Sequence, residues 1–379
     1  MNKVSVHIVT WNSLKFLANA LGSLFEQSFR DFSVLIIDNG SRDGTIEWLR
    51  EYYPQIKIVQ NKKNLGFAKG HNQAISFTKS DYVLAMNHDV ILREFFLEKL
   101  VEFMDAHPES GSVTGKVLKL IGNPAQVDTA SFTKTIDSAG LRILKSRRVV
   151  DRGEGEIDQG GFSEIEEVFG VSGSIPFYRR SALEDVAMEK EPRTKFLKAQ
   201  SARYSGGDSD LPIKEVFSDN MKSQANVKKL VRGEYFDEDF YSYKEDVDLA
   251  WRLRLAGWQA CFVPQAVAYH YRRAYGKDQQ GNIATLKNRL KKPSFINLMS
   301  NRNHLMMLVK NEQAANFWLH FLYILWYELR KWGIVVLLEQ KTLKGLWQFF
   351  KLLPKMRAKR KIIQGRAKVS AKQMRSWFK

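Results

Sequence analysis

Through the first 120 residues, short apolar runs alternate with stretches in which apolar residues recur every three or four positions. The runs VSVHIV, FSVLIID, IKIVQN and DYVLAMN are strand-length, which predicts a largely parallel sheet covered by helices. Between them, Leu14, Leu17, Leu21 and Leu24 keep helical spacing behind Ser13 as the expected N-cap. The turn-rich NGSRDG leads into a helix through Trp48, and GFAKGHNQAISF opens another. A sheet of this kind gathers ligands at the carboxyl ends of its strands, where Asp38 and the stretch Asn87, His88, Asp89 are placed.

The pattern loosens from about 125 to 170, where LRILKSRRVV predicts a hairpin or meander. GVSGSIPFYRRSAL then leads into a helix. Residues 187–233 are polar and poor in aromatics, and read as an inserted, partly mobile loop. In YSYKEDVDLAWRLRLAGW, acidic residues fill a first helical turn, arginines follow, and Gly257 is the expected stop. The last segment interrupts its apolar runs with Glu328, Arg330, Lys331 and Glu339, so it predicts a helix lying in a membrane surface and not a span.

Charge changes this picture in one place. The chain of 379 residues carries +18, yet 13 Lys and Arg fall in 341–379 with no acid after Glu339; removing 13 from +18 leaves +5 for the first 340 positions. Basicity therefore belongs to the tail, with Trp332, Trp347, Phe349 and Phe350 as expected membrane anchors. The single cysteine, Cys261, lies in an apolar context and reads as buried and inert. With no secretory signal at the N-terminus, the expected location is the cytosol.

Four constellations bear on chemistry. Asn12 and Asp38 share one sheet edge, where a carboxylate can accept from a base or ribose; Asp38 alone reads equally as a turn cap. NKKNLGFAKGHN, with Gly66, Lys69 and Gly70, can bring backbone close to a phosphate or simply start a helix. Asp89 offers a hard oxygen ligand beside the neutral carbonyl of Asn87, although a lone Asp after a strand is commonly a cap. Glu245, Asp246 and Asp248 crowd one helical turn, which raises at least one pKa and suits a base; Asp248 with Arg252 also makes a simple i,i+4 pair. His270 ends an apolar strand, where it is a candidate imidazole ligand and, taken alone, more often a packed histidine.

Taken in order, VTWN, IDNGSRDGT, NLGFAKGHNQAI, LAMNHDV, VSGSIPFYRRSAL, YFDEDFYSYKEDVDLAWRLRLAGW and AYHYRR resemble the family 2 glycosyltransferases of the GT-A fold, and most closely their bacterial rhamnosyltransferase-like branch. The resemblance covers about residues 3–311. It implies an α/β, Rossmann-like GT-A domain over 1–311, interrupted at 187–233, with a basic, amphipathic, helical, membrane-associating extension over 312–379. It implies an inverting, metal-dependent transfer from a nucleotide-diphospho-sugar, dTDP-rhamnose or a UDP-sugar, to a hydroxyl of a lipid-linked or polysaccharide acceptor in cell-envelope glycan synthesis. Thr10, Asn12, Asp38, Gly66, Asn72 and Arg272 map to donor contacts. Asn87, Asp89 and His270 map to a site for Mg²⁺ or Mn²⁺, and Asp246, with Glu245 second, to the catalytic base. His88 departs from the family, where proline is usual. The arginines 272 and 273, with the basic stretch to Lys292, read as a lid over the diphosphate or as a solvated loop.

Two rivals are set against this reading: a nucleic-acid-binding protein using the tail, and a non-catalytic member of the same fold. The aromatic tail and the acids at 245–248 argue against the first, and retention of Asp89, Asp246 and His270 against the second. The expected location is the inner face of the cell membrane, held by anionic lipid.

Overall fold

The computed structural model describes residues 2–188, 233–271 and 289–379. The expected insertion lies almost wholly outside them, as do Arg272, Arg273 and most of the basic stretch before Lys292.

The four apolar runs form β1 (Val4–Thr10), β2 (Phe32–Asp38), β3 (Lys57–Gln60) and β4 (Tyr82–Met86), which pair in parallel in the order β4-β1-β2-β3. Val4, Val6 and Ile8 pack against Leu17, Leu21 and Leu24 of α1 (Leu14–Phe25), in a core that also takes Ile46 and Leu49 of α2 (Thr45–Tyr52). The opposite face sets Leu35, Ile37 and Val59 against Ala74 of α3 (Phe67–Phe77). Burial on both faces is why these strands read as continuous apolar runs. Gly70 serves this packing and not a phosphate: a Cβ there would lie 2.8 Å from Val9 Cγ1. Ser13 does not cap α1. Its hydroxyl accepts from Trp11 N–H, and Asp43 takes the Leu14 N–H at 3.1 Å instead.

Beyond β4 come β5 (Val90–Leu92), α4 (Phe96–Ala106), β6 (Ser110–Leu120) and β7 (Phe132–Ser138), then the expected hairpin, β8 (Leu141–Ile143) with β9 (Val149–Asp151). β10 (Glu166–Glu167), β11 (Phe177–Arg179), α5 (Arg180–Asp185), α6 (Glu245–Leu255) and β12 (Gln259–His270) follow. β11 enters antiparallel between β4 and β6, and β12 continues the sheet beside β6, so the order runs β10-β12-β6-β11-β4-β1-β2-β3. β5 pairs with the end of β12, placing His270 opposite Val90, while β7 pairs with β6.

The C-terminal helices are α7 (Ser294–Asn311), α8 (Ala314–Leu319), α9 (Phe321–Leu338), α10 (Leu343–Gly365) and α11 (Ala371–Arg375). Met306, Met307, Phe349, Met356, Ile363 and Phe378 share one core with Ile143 of β8 and Trp251 of α6. The tail is thus built into the body across residue 311. Phe349 is buried in this core, so it is not the membrane anchor its sequence context suggests, whereas Trp347 and Phe350 are exposed.

Ion pairs fasten the same joint. Lys310 is fully buried and pairs with Asp237 and with Asp248, at 2.8 Å to the latter; Asp248 also pairs with Arg252 at 3.0 Å. Glu234, Asp237 and Asp239 form a tight acidic cluster, but Lys359 Nζ fills it, at 3.3, 2.5 and 2.9 Å. That cluster is a lysine socket and not a metal centre. Lys355 pairs with Asp239 as well, so two of the tail's cations serve the fold and are withdrawn from any nucleic acid.

Candidate active site

The carboxyl edge of β1 and β2 carries a tight polar loop. Asp38 is fully buried and accepts from Thr10 Oγ1 (3.0 Å), Gly40 N–H (3.1 Å), Ser41 N–H (3.0 Å) and Ser41 Oγ (2.5 Å). A carboxylate has about four such sites, so Asp38 is committed to shaping the loop. Asn12 holds a left-handed conformation (φ 51°), and its side chain accepts from Arg42 N–H at 2.9 Å. Gly66, with φ 84°, packs so closely on Tyr241 that a Cβ would sit 2.5 Å from that residue's carbonyl oxygen. Asn72 is buried and exchanges bonds with Phe236, N–H to Oδ1 at 2.9 Å and Nδ2 to carbonyl at 2.8 Å. Gly66 and Asn72 therefore fasten α3 to the segment that leads into α6. Arg272 lies outside the described residues.

At the end of β4 the polypeptide turns through Asn87, His88 and Asp89. Pairing of β5 with β12 brings His270 Nε2 to 3.4 Å from Asp89 Oδ1. The other ring nitrogen, Nδ1, meets Asp137 Oδ2 at 2.8 Å. Asp137 carries no local signal in its sequence, TKTIDSAG; only the register of β7 on β6 and β6 on β12 delivers it. Burial alone disfavours the imidazolium, but the two flanking carboxylates outweigh it and raise the His270 pKa to about 10. Burial likewise opposes ionisation of Asp89, yet His270 draws its pKa down to about 2. His88 packs its ring 5.6 Å from Phe16, with Nδ1 3.4 Å from the Val9 carbonyl.

With the Nε2 proton of His270 displaced, as cation binding requires, the donor set fits a divalent cation. Asp89 Oδ1 is buried without a hydrogen bond, a hard oxygen facing an imidazole. A carboxylate on the far nitrogen of that imidazole is the arrangement that fixes the tautomer of a metal-binding histidine. Asn87 leaves its side chain partly exposed beside them while its N–H donates to the Ser174 carbonyl at 2.9 Å.

The third part stands at the N-terminus of α6. Tyr241, Tyr243 and Lys244 all have positive φ, a sharp turn that presents Glu245 and Asp246 at the helix start. Asp246 accepts from Gly173 N–H (2.9 Å) and its neighbour Val247 N–H (2.8 Å). Gly173 and Ser174 thus join Asp246 on one side to Asn87 on the other. Asp248, turned inward to Lys310, Arg252 and Asn311, is structural.

Glu245 and Asp246 are not equivalent. Burial, followed by the Asp246 charge, raises the Glu245 pKa to about 8, and Glu245 Oε2 has no hydrogen bond. Burial also raises Asp246, but Lys244 and the two N–H donors oppose it. The pair holds its proton on Glu245 and its charge on Asp246, a division in which Asp246 is the group free to accept a proton. At neutral pH the unfolded chain ionises Glu245 and the folded chain does not, so the folded state binds the extra proton and its stability falls as pH rises through about 4.5 to 8. Glu245→Gln removes that loss: its stability gain over wild type in urea unfolding is expected to grow from pH 5 to pH 8. A gain independent of pH would contradict the assignment.

The profile described as "Glycosyl transferase family 2" matches residues 5–187. The chain is 25% identical over 288 residues to the N-acetylglucosaminyl-diphospho-decaprenol L-rhamnosyltransferase of Mycobacterium tuberculosis, covering 73% of this chain and 78% of that one. It is 31% identical over 109 residues to the putative glycosyltransferase EpsE of Bacillus subtilis, a match that takes in 28% of this chain and 39% of EpsE. In fold it is similar to the crystal structure of GalNAc-T7 with UDP, GalNAc and Mn²⁺, at a TM-score of 0.52 and 12% identity, covering 82% of this chain and 49% of that chain.

Proposed function

From the premise that this chain belongs to glycosyl transferase family 2, we propose that it is an inverting, metal-dependent transferase moving a sugar of the rhamnose type from a nucleoside diphosphate to a hydroxyl of a lipid-linked or polysaccharide acceptor. The rhamnose preference is supported by the mycobacterial relative, whose name also supplies the lipid diphosphate class of acceptor. The observation that carries the reading is the meeting of Asp89 and His270 from separate strands, with Asp137 behind the imidazole.

In this mechanism Asp89, Asn87 and His270 would hold Mg²⁺ or Mn²⁺, and a cation there would neutralise charge on the departing diphosphate. Asp137 keeps the His270 ring oriented through Nδ1. The loop shaped by Asp38, with Thr10 and Asn12, forms the floor for the nucleoside. Asp246 takes the proton of the acceptor hydroxyl as that oxygen attacks the anomeric carbon opposite the leaving group. The two N–H groups on Asp246 fix the direction of its free lone pairs.

Asp89→Ala tests the metal site. Calorimetric affinity for UDP or dTDP is expected to be strengthened by Mn²⁺ in wild type and to be insensitive to Mn²⁺ in the variant. Equal nucleotide affinity with Mn²⁺ and with EDTA in the wild type would end the metal reading.

A membrane surface is the proposed place of work. No helix among the described residues is long and apolar enough to cross a membrane. Yet α9 exposes Leu322, Trp326, Leu329 and Leu337, and α10 exposes Trp347 and Phe350 along with Lys344 and Lys351. Exposed apolar and basic side chains together suit anionic bilayers. The triple variant Leu322→Ser, Trp326→Ser, Leu329→Ser should fold normally, since these side chains are exposed, and lose sedimentation with phosphatidylglycerol vesicles. Unchanged sedimentation would discard this surface.

A further inference from the structure

The helix that carries Asp246 begins behind an unusual turn. Tyr241, Tyr243 and Lys244 take φ of 64°, 72° and 70° before α6 starts at Glu245. A left-handed backbone at a non-glycine residue is unfavourable and lasts only where its surroundings hold it. Such a turn also directs its carbonyls away from the partners that a helix or sheet would give them, so the groups that do accept this role identify what holds it.

Two neighbours on α7 supply those partners. Asn303 is fully buried, and its Nδ2 lies 2.9 Å from the Phe240 carbonyl oxygen, 2.9 Å from that of Ser242 and 2.7 Å from that of Tyr243. Its Oδ1 accepts from Arg302 Nε at 2.9 Å, which orients the amide with its N–H bonds toward the turn. Arg302 itself donates to the Asp239 and Phe240 carbonyls, at 2.8 and 3.1 Å, and to Gln348 of α10 at 3.2 Å. From the other side, α3 gives its Ala68 N–H to the Tyr241 carbonyl at 3.3 Å. Asn303 reaches furthest along the turn, to the residue just before Lys244.

The turn decides where Asp246 points. Asp246 is the second residue of α6, and its carboxylate spans from the Val247 N–H of that helix to the Gly173 N–H of a separate segment, at 2.8 and 2.9 Å. A shift of the turn moves the start of α6 and draws that carboxylate away from Gly173. We propose that Asn303 is a positioning residue for the base: its amide holds the carbonyls of the turn and thereby fixes the direction of the Asp246 carboxylate. The inference rests on the reading of Asp246 as the base. Because α7 leads into α8 and α9, the helix that runs toward the proposed membrane surface also seats the base.

Three variants of the full-length protein test this: Asn303→Ala, Asn303→Ser and Met306→Ala. Met306 is also on α7 and fully buried in the core shared with Trp251, so its truncation loosens the helix while removing no donor from the turn. Turnover per folded molecule is read as nucleoside diphosphate released from dTDP-rhamnose or a UDP-sugar in the presence of acceptor. It is expected to fall about 10²-fold in Asn303→Ala, the cost of a small misplacement of a reacting group. UDP affinity in Mn²⁺ should match wild type, which also shows that the variant folds. Asn303→Ser keeps one O–H donor; it should fall between the two, and it carries the test where the alanine variant does not fold. Met306→Ala should turn over at the wild-type rate.

A second readout needs no activity. Glu245→Gln is placed in the wild-type and Asn303→Ser backgrounds, and its stability gain is followed by urea unfolding from pH 5 to pH 8. The groups whose charges act on the Glu245–Asp246 pair, Lys244, Asp248, Asp151 of β9 and Tyr178 of β11, are the same in both. With the turn released, Glu245 meets water and its pKa returns toward the ordinary carboxylate range, so the growth of that gain with pH should shrink. Wild-type turnover in both Asn303 variants would overturn the proposal, as would an undiminished growth with pH. Equal losses of turnover in Asn303→Ala and Met306→Ala would overturn it too, by making the effect a general loosening of α7. A wild type inactive with every donor would fail the transferase reading and leave the pH readout to decide on Asn303.

Discussion

Asp246→Asn is expected to lower turnover by about 10²- to 10⁴-fold, the usual contribution of a positioned general base, while nucleotide-sugar affinity stays within about twofold of wild type. The asparagine keeps one acceptor oxygen, which can serve the Gly173 N–H, so the loop that also holds Asn87 should stay in place, while the Val247 N–H in the first helical turn loses its side-chain partner. What is lost is the capacity to take a proton. Glu245 does not replace it, because burial, the larger cause of its raised pKa, persists after the Asp246 charge is gone, and no hydrogen bond positions its Oε2. Single-turnover transfer and calorimetry on one preparation separate the two effects. Full activity in the variant would remove Asp246 from the role, and a parallel loss of donor affinity would make it a structural residue.

The second large effect concerns the joint between the tail and the body. Lys310→Met is expected to destabilise the protein by about 3–5 kcal/mol, because it leaves Asp237 and Asp248 buried together without their cation. Arg252 still reaches Asp248, and Lys359 still reaches Asp237, which keeps the loss from being larger. The partner change Lys310→Met/Asp248→Asn should recover part of it by removing one of the stranded charges. Urea unfolding followed by tryptophan fluorescence gives both values. A single variant that unfolds at the wild-type midpoint would show that the network does not hold α7 against α6.

The parallel strands and α6 are legible in the sequence because their signals are local: β1, β2 and β4 are short apolar runs, and α6 opens with acids and stops at Gly257, whose φ is 89°. The site was legible as separate pieces. Asp89 and His270 each read alone as a cap and a packed histidine, and only the pairing of β5 with β12 makes them neighbours. Asp137 was missed because nothing near it in the chain marks it; its role comes from two strand registers. Ser13, Asn72 and Gly70 mislead for the opposite reason, being plausible by type while long-range partners decide their use. Asp43 displaces Ser13 as the cap, Phe236 claims Asn72, and Val9 demands Gly70. The tail is subtler. Its hydrophobic and basic composition is plain, but which aromatic faces outward depends on the helix against which it packs, so Phe349 is buried and Phe350 exposed. For the same reason, deleting 338–379 would remove Met356, Ile363 and Phe378 from a shared core and is a poor test of membrane binding.

The most direct test of the central claim is release of nucleoside diphosphate from a panel of nucleotide sugars that includes dTDP-rhamnose and UDP-sugars, in Mn²⁺, with an isoprenoid-diphosphate-linked N-acetylglucosamine as acceptor. Wild type is expected to release diphosphate with at least one donor, yielding a product of inverted anomeric configuration, while Asp89→Ala and Asp246→Asn release little. Product of retained configuration, or release by Asp246→Asn at the wild-type rate, would contradict the account.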